Sequence, residues 1–399
     1  MREYHRRGLY HICSAAVSGG AQEGSGQRRG GWREALLTHL GPGILAGITL
    51  GDWLALLWQQ RFAVAPSCLP RAFAITLQSI KNSIFRRLEE RRFGSRLRDV
   101  AVQPPLFVLG HWRNGTTHLH NLLCLDRRFA FPNTYQVSFP HTFLSTEAKS
   151  ARRLDFFLTG RRPMDDVALY MGSPQEDEFA LCASTLLSPC LSWVFPRQRE
   201  RFEKYLTLRR ASGSEVARWK AALDHFLRKL TLKHGRPLVL KSPPHTCRIR
   251  LLLGMFPGAR FVHIRRHPYD VFQSTLWTLR ANSGWHRLQR ANEDDLNSWV
   301  IRQYREMYEV YFEERGSILA GRLHELAFED LERDPLGEIR RLYEVLNLPE
   351  LEGVAPDVEK YVESLRGYKK NVFPELPREL KERIAREWKT CFEAWGYAI

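Results

Sequence analysis

Gly110 and Gly115 bracket His111, Trp112, Arg113 and Asn114, and Thr116 and Thr117 follow directly. The block GHWRNGTT lies between a short apolar run and a helix-patterned stretch. Its backbone N–H groups can therefore converge on a phosphate at a helix N-terminus. In a nucleoside-triphosphate P-loop the second glycine is followed by Lys, then by a Ser or Thr that helps hold Mg²⁺. Here Thr116 occupies the Lys position and the cation sits inside the loop as Arg113. The usual metal-assisted arrangement is broken, and the block suits an anion held by amides, hydroxyls and a guanidinium.

Two further clusters follow short apolar runs. Residues 237–240 run into Lys241, Ser242, Pro243, Pro244 and His245, and residues 260–264 run into Arg265, Arg266, His267 and Pro268. Pro268 is placed to open a helix, which puts Ser274 about two turns inside it. Both runs end in cations where a triphosphatase would carry an acidic metal ligand. The seven cysteines are scattered with no metal-ligand spacing, and no metal is expected.

With these residues in place, the chain resembles the sulfotransferase family that draws its sulfuryl group from 3′-phosphoadenosine 5′-phosphosulfate (PAPS). GHWRNGTT is similar to the family's RSGTT-type phosphosulfate loop, with Asn114 in place of Ser. KSPPH resembles the KSPxH block of a bacterial branch. Arg266 and Ser274 match the Arg and the later Ser that hold the 3′-phosphate, although the usual RDP reads RHP here. ELAFEDLERDP at 325–335 resembles a late YEDL…DP segment, with Phe328 for Tyr.

The resemblance implies a PAPS-dependent sulfotransferase of the EC 2.8.2 class, with metal-independent in-line transfer to a hydroxyl acceptor. It also implies a nucleotide site of Arg113, Asn114, Gly115, Thr116, Thr117, Arg266, Ser274 and the late Lys369, beside Tyr368 and Lys370. Lys241 and Arg113 would neutralise charge on the phosphosulfate bridge. Removing the acceptor's proton calls for His or a carboxylate. His245 is the first choice, Glu176 and Glu178 the second, and His111, His118 and His141 are further candidates. Ser173, Pro174 and Glu176 also fit a capping box, which would explain Glu176 structurally.

The elements that must position these groups are legible from about residue 104. Apolar runs at 105–109, 237–240, 260–264 and 323–328 alternate with helical stretches, the pattern of a parallel sheet. The expected fold is α/β: a P-loop NTPase-like three-layer α/β/α sandwich with a central parallel sheet, plus a helical N-terminal extension. Residues 101–399 form the catalytic domain, with 142–235 a helical acceptor cap and 378–397 a closing helix. Residues 1–32, rich in Gly, Ser, Arg and Gln, read as a disordered tail, and their interrupted apolar run is a poor secretory signal.

Residues 33–100 read as helical. The stretch 40–58 is barely long enough to span a bilayer and carries Asp52; 69–88 is amphipathic and ends in the basic run 86–92. Segment 40–92 would lie at a membrane interface, pack on the main domain or form a homodimer contact.

A net charge of +16 on 399 residues favours an anionic partner without choosing one. No nucleic acid is expected. The acceptor is a small molecule, lipid or carbohydrate alcohol, and the thiols suit a cytoplasmic setting. The rival readings are a P-loop nucleotide kinase or NTPase, and a non-catalytic, basic, membrane-associated binding protein on the same fold.

Overall fold

The computed structural model describes residues 39–156, 160–161, 168–281, 283–290, 295–367 and 371–399. The expected tail at 1–32 falls outside these residues, as do Tyr368, Lys369 and Lys370. Four parallel strands form the central sheet: β1 (Leu106–Leu109), β2 (Val239–Lys241), β3 (Arg260–Arg265) and β4 (Leu323–Ala327). Their order is β2-β1-β3-β4, with Leu106 opposite both Val239 and Arg260, and Phe261 opposite Leu323. The chain leaves β1 for β2 on one flank and returns to β3 on the other. The carboxyl ends of β1 and β3 thus meet where the winding reverses, the place where such sheets bind ligands.

Alternate residues of each strand enter opposite cores, as the two-residue period demands. Phe107, Leu109, Leu240 and Phe261 face one layer, while Leu106, Val108, Val239 and Val262 face the other. The first layer contains α5 (Gly213–His234) and α7 (Leu296–Glu314). Helix α5 starts in a capping box between Ser212 and Glu215 and stops at Gly235, whose φ is +62°. Helix α7 directs Tyr304, Tyr308 and Tyr311 inward at helical spacing. The opposite layer contains α3 (Thr116–Leu123) and the helices Pro335–Val345 and Ala355–Ser364.

Between β1 and β2 the described chain is mostly helical and includes α4 (Asp177–Thr185). A short antiparallel ribbon pairs Gly160–Arg161 with Ala168–Leu169, which the periodicity did not indicate. The closing helix expected at 378–397 is two, Arg378–Glu387 and Lys389–Trp395. The break is at Trp388, whose indole donates to the Ile301 carbonyl (3.0 Å) and stacks on Tyr304 at 3.7 Å. That docking outweighs continuity of the helix.

The N-terminal extension is a helix pair, α1 (Leu50–Gln59) and α2 (Leu69–Arg98), packed on the main body. Trp53 and Leu56 of α1 share a core with Leu191, Val194 and Phe195. No helix among the described residues is long and apolar enough to cross a membrane.

Candidate active site

The loop after β1 has a left-handed backbone at two points needed for its tight turn: Arg113 (φ +73°) and Gly115 (φ +92°). A Cβ at Gly115 would lie 2.3 Å from Phe328 Cδ2, so only glycine lets the loop close against that ring. For Arg113 this backbone costs about 1–3 kcal/mol. Its Nε donates to Ser274 Oγ at 2.9 Å, and Arg266 Nη1 reaches its carbonyl at 3.4 Å. The loop is braced from below as well. Gly110 N donates to Thr246 Oγ1 (2.8 Å), and Asn114 Nδ2 donates to the Ile264 carbonyl (3.0 Å) and the Tyr308 hydroxyl (2.8 Å).

Gly115 caps α3 without any side-chain hydrogen bond, and Thr116 and Thr117 occupy the first helical positions. The first amides of α3 therefore point toward the concave side of the loop, where the positive end of the helix also lies. Arg266 lies over the Phe328 ring (4.7 Å) and 3.5 Å from Asp270, while its buried Nε has no hydrogen-bond partner. Ser274 is buried in α6 (Pro268–Ala281), which begins at Pro268 as expected. Arg113, Asn114, Gly115, Thr116, Thr117, Arg266 and Ser274 are thus gathered at the ends of β1 and β3.

Lys241 ends β2 on the adjoining side, with its Nζ 2.7 Å from Glu176 Oε1. Both are buried, and Glu176 Oε2 has no hydrogen-bond partner. The capping box at Ser173 does not form. Residues 173–175 stay outside the helix: Pro174 bridges Asn133, and Gln175 N donates to the Pro132 carbonyl at 2.9 Å. Ser173 Oγ accepts from Tyr170 N instead, α4 begins at Asp177, and Glu176 becomes its N-cap residue. The Glu176 carboxylate is consequently not held by the helix end.

His245 lies one layer deeper. It is fully buried, its Nε2 is 2.6 Å from Asp177 Oδ2, and Phe107 and Trp219 meet its ring edge-on. Asp177 Oδ1 accepts from Ser242 Oγ at 2.9 Å. Burial alone would raise the Asp177 carboxyl. Electrostatic interaction with the His245 ring and the hydrogen bonds from His245 and Ser242 outweigh it and hold Asp177 below its usual range.

Glu178 is also enclosed: Arg248 Nη1 lies 2.7 Å from its Oε2, and neither side chain is exposed. Among the other histidines, burial lowers His111 and His118 to about 4 and His141 to about 3. His111 Nδ1 lies 2.8 Å from the Trp112 carbonyl, and His118 stacks on Tyr361.

The order of an Arg-bearing glycine loop, a Lys at the end of β2 and an Arg–Ser pair after β3 is matched by relatedness over the chain. The description "Sulfotransferase family" fits residues 104–352. The chain belongs to the sulfotransferase family. A curated sulfotransferase of Mycobacterium tuberculosis, named omega-hydroxy-beta-dihydromenaquinone-9 sulfotransferase Stf3, is 35% identical over 374 residues. That match spans 94% of this chain and 95% of the relative. The Mycobacterium bovis protein of that name matches equally.

Two crystal structures share the fold. Sulfotransferase STF9 from Mycobacterium avium gives a TM-score of 0.67 at 18% identity, covering 95% of this chain and 99% of its own. STF1 from Mycobacterium tuberculosis gives 0.62 at 18% identity, covering 94% and 98%. The protein is therefore an enzyme of sulfuryl transfer, built as the α/β sandwich with a central parallel sheet that the strand pattern implied.

Some contacts of this sulfotransferase site carried no local signal in the sequence. Tyr308 accepts from both His111 N and Asn114, and Asp177 organises His245 and Ser242. Trp112, Phe179, Trp193 and His286 form an aromatic wall beside the loop, with successive centroids 6.1–6.3 Å apart through Trp193. Phe328 stood out in the sequence as a substitution within the late segment, and Asp177 as a member of the acidic run 176–178, but neither contact was indicated.

Proposed function

We propose that this sulfotransferase uses PAPS and sulfates the hydroxyl of an amphiphilic, lipid-like alcohol. The observation that carries the reading is the buried Lys241–Glu176 pair, 2.7 Å apart, at the strand end next to the Arg113 loop. The loop fits the co-substrate chemically. Gly115 lets the loop close against Phe328 with its amides free of a side chain, and Arg266 Nε is a buried donor without a partner. When bound, PAPS supplies a sulfuryl group activated by its linkage to phosphate.

The loop amides with Thr116 and Thr117 would hold the 5′-phosphate, and Arg266 with Ser274 the 3′-phosphate. As the acceptor oxygen bonds to sulfur, its proton passes to Glu176, and the bond from sulfur to the bridging phosphate oxygen breaks. Arg113 and Lys241 would neutralise the charge left on that oxygen. Glu176 takes the base role in preference to His245 because its second oxygen is unengaged, whereas His245 faces Asp177 within the core. His245 and Asp177 then serve as positioning residues, and Lys369 would add a cation from the late loop.

The lipid-like acceptor is supported by the substrate in the mycobacterial relatives' name and by the Trp112–Trp193 wall. The helical region at 142–235, which contributes Glu176, Phe179 and Trp193, would form the acceptor cap. The six described cysteines are free, five of them buried, which supports a cytoplasmic setting.

The test is transfer from radiolabelled PAPS to an omega-hydroxylated menaquinone by the full-length protein, with EDTA present. Labelled, sulfated quinone is expected. A well-folded protein that labels no hydroxylated lipid, or that instead transfers phosphate from ATP with Mg²⁺, contradicts the proposal.

A further inference from the structure

Helix α2 is built inside out. The face turned to the protein carries Arg71, Ser79, Asn82 and Glu89, all buried, alongside Ile75 and Leu97. The polar members are engaged. Arg71 donates to the carbonyls of Arg287 (2.8 Å) and Gly284 (2.6 Å), and Asn82 donates to those of Ala46 (2.8 Å) and Ile48 (2.9 Å). Glu89 pairs with buried Lys229 at 2.6 Å. This polar face is a docking surface with fixed partners, so the helix cannot rotate to hide its other side.

That other side carries Leu69, Phe73, Leu77, Ile80, Ile84 and Leu88, each between 41% and 65% exposed. Steps of three and four keep them in a single stripe. The neighbouring α1 and the turn after it expose Leu54, Trp58 and Phe62, with Trp58 at 75%. So much apolar surface in one extension marks an interaction site.

The stripe turns cationic at its C-terminal end. Arg87 and Arg91 continue it at helical spacing from Ile84 and Leu88, and Arg92, Arg96 and Arg98 are exposed nearby. The acidic residues of α2 are Glu89 and Glu90, and neither lies on the stripe. A cavity of about 880 Å³ opens beside this end, with Arg86, Arg91, Arg98 and Arg218 in its walls along with Glu89 and Glu90.

We infer that the α1–α2 face docks on an anionic lipid bilayer. Its large apolar and aromatic side chains would enter the headgroup boundary, and its arginines would meet lipid phosphates. A second copy fits the face less well. Side by side in parallel, the two cationic ends would repel each other. In antiparallel packing Arg87 and Arg91 would lie on Leu69 and Phe73 with no acid to pair them. Docking would also bring the acceptor side close to the bilayer, since Trp53 and Leu56 share a core with Leu191, Val194 and Phe195 around Trp193. The inference does not rest on the choice of sulfuryl donor or acceptor.

The test is co-sedimentation of the full chain with vesicles of phosphatidylglycerol and phosphatidylcholine in equal parts, and of phosphatidylcholine alone. Binding is expected to the anionic vesicles and to weaken with added salt. Phe73→Glu with Leu77→Glu, and separately Arg87→Glu with Arg91→Glu, should each lower vesicle affinity by at least about tenfold. Melting temperatures should stay unchanged, because these side chains touch solvent. A folded wild type that stays in solution with anionic vesicles overturns the inference, as does full binding by the Phe73/Leu77 variant. A wild-type dimer that the same variant converts to monomer would assign the face to a second copy and likewise overturn it.

Discussion

Lys241 and Glu176 form a pair that neither member could leave cheaply, since an unpaired buried charge costs about 3–5 kcal/mol. Glu176→Gln keeps the shape and an oxygen for Lys241 while removing the carboxylate. It should lower kcat for sulfuryl transfer by about 10²–10⁴-fold and leave nucleotide affinity little changed. Single-turnover transfer beside a binding isotherm checks this; unaltered kcat would remove Glu176 from the proton-transfer step. The sequence made Glu176 a candidate through its residue type but also offered a capping explanation. Whether Ser173 caps a helix depends on a strand-like contact with residues 132–133, which no local pattern encodes. The burial of His245 was equally hidden, because it results from α4 placing Asp177 over the end of β2.

At the scale of elements, the phosphate loop was the most legible part, since its glycines, cation and helix start are contiguous. The same holds for the four strands, whose alternating apolar residues serve both faces of the sheet. The tertiary clamps on the loop, Thr246, Tyr308 and Phe328, come from three distant segments and leave no such trace. Gly115→Ala tests that clamp. A methyl there meets Phe328 at 2.3 Å on a backbone with φ +92°. The substitution should destabilise the fold by about 1–3 kcal/mol. It should weaken nucleotide binding further, because the amides at the start of α3 would shift. Urea melts with nucleotide titrations separate the two effects, and a neutral outcome in both would contradict the loop's assigned role. The split closing helix shows the opposite limit. Its periodicity at 378–397 was correct, yet the seat of Trp388 against Tyr304 decided where it bends.

Taken whole, the molecule buries several neutral imidazoles. Burial lowers His111 and His286 to about 4, and His120 and His263 to about 3, from an ordinary 6.5. Below pH 6.5 the unfolded chain takes up protons at these sites that the folded chain refuses. Their contribution to stability is therefore complete above that pH and is lost as acid approaches the folded values. Each imidazole could remove up to about 2 kcal/mol near pH 5. Urea denaturation at neutral and mildly acidic pH should show a marked fall; constant or rising stability would contradict this burial.

The most direct measurement of the central claim is calorimetric titration of 3′-phosphoadenosine 5′-phosphate into the full-length protein with EDTA, repeated with Arg266→Ala. Loss of a charged phosphate contact at this scale corresponds to a decrease of about tenfold or more. The account predicts metal-independent binding to the wild type and at least that decrease in the variant. Absence of binding by folded wild type, or Mg²⁺-dependent ATP binding in its place, would contradict it.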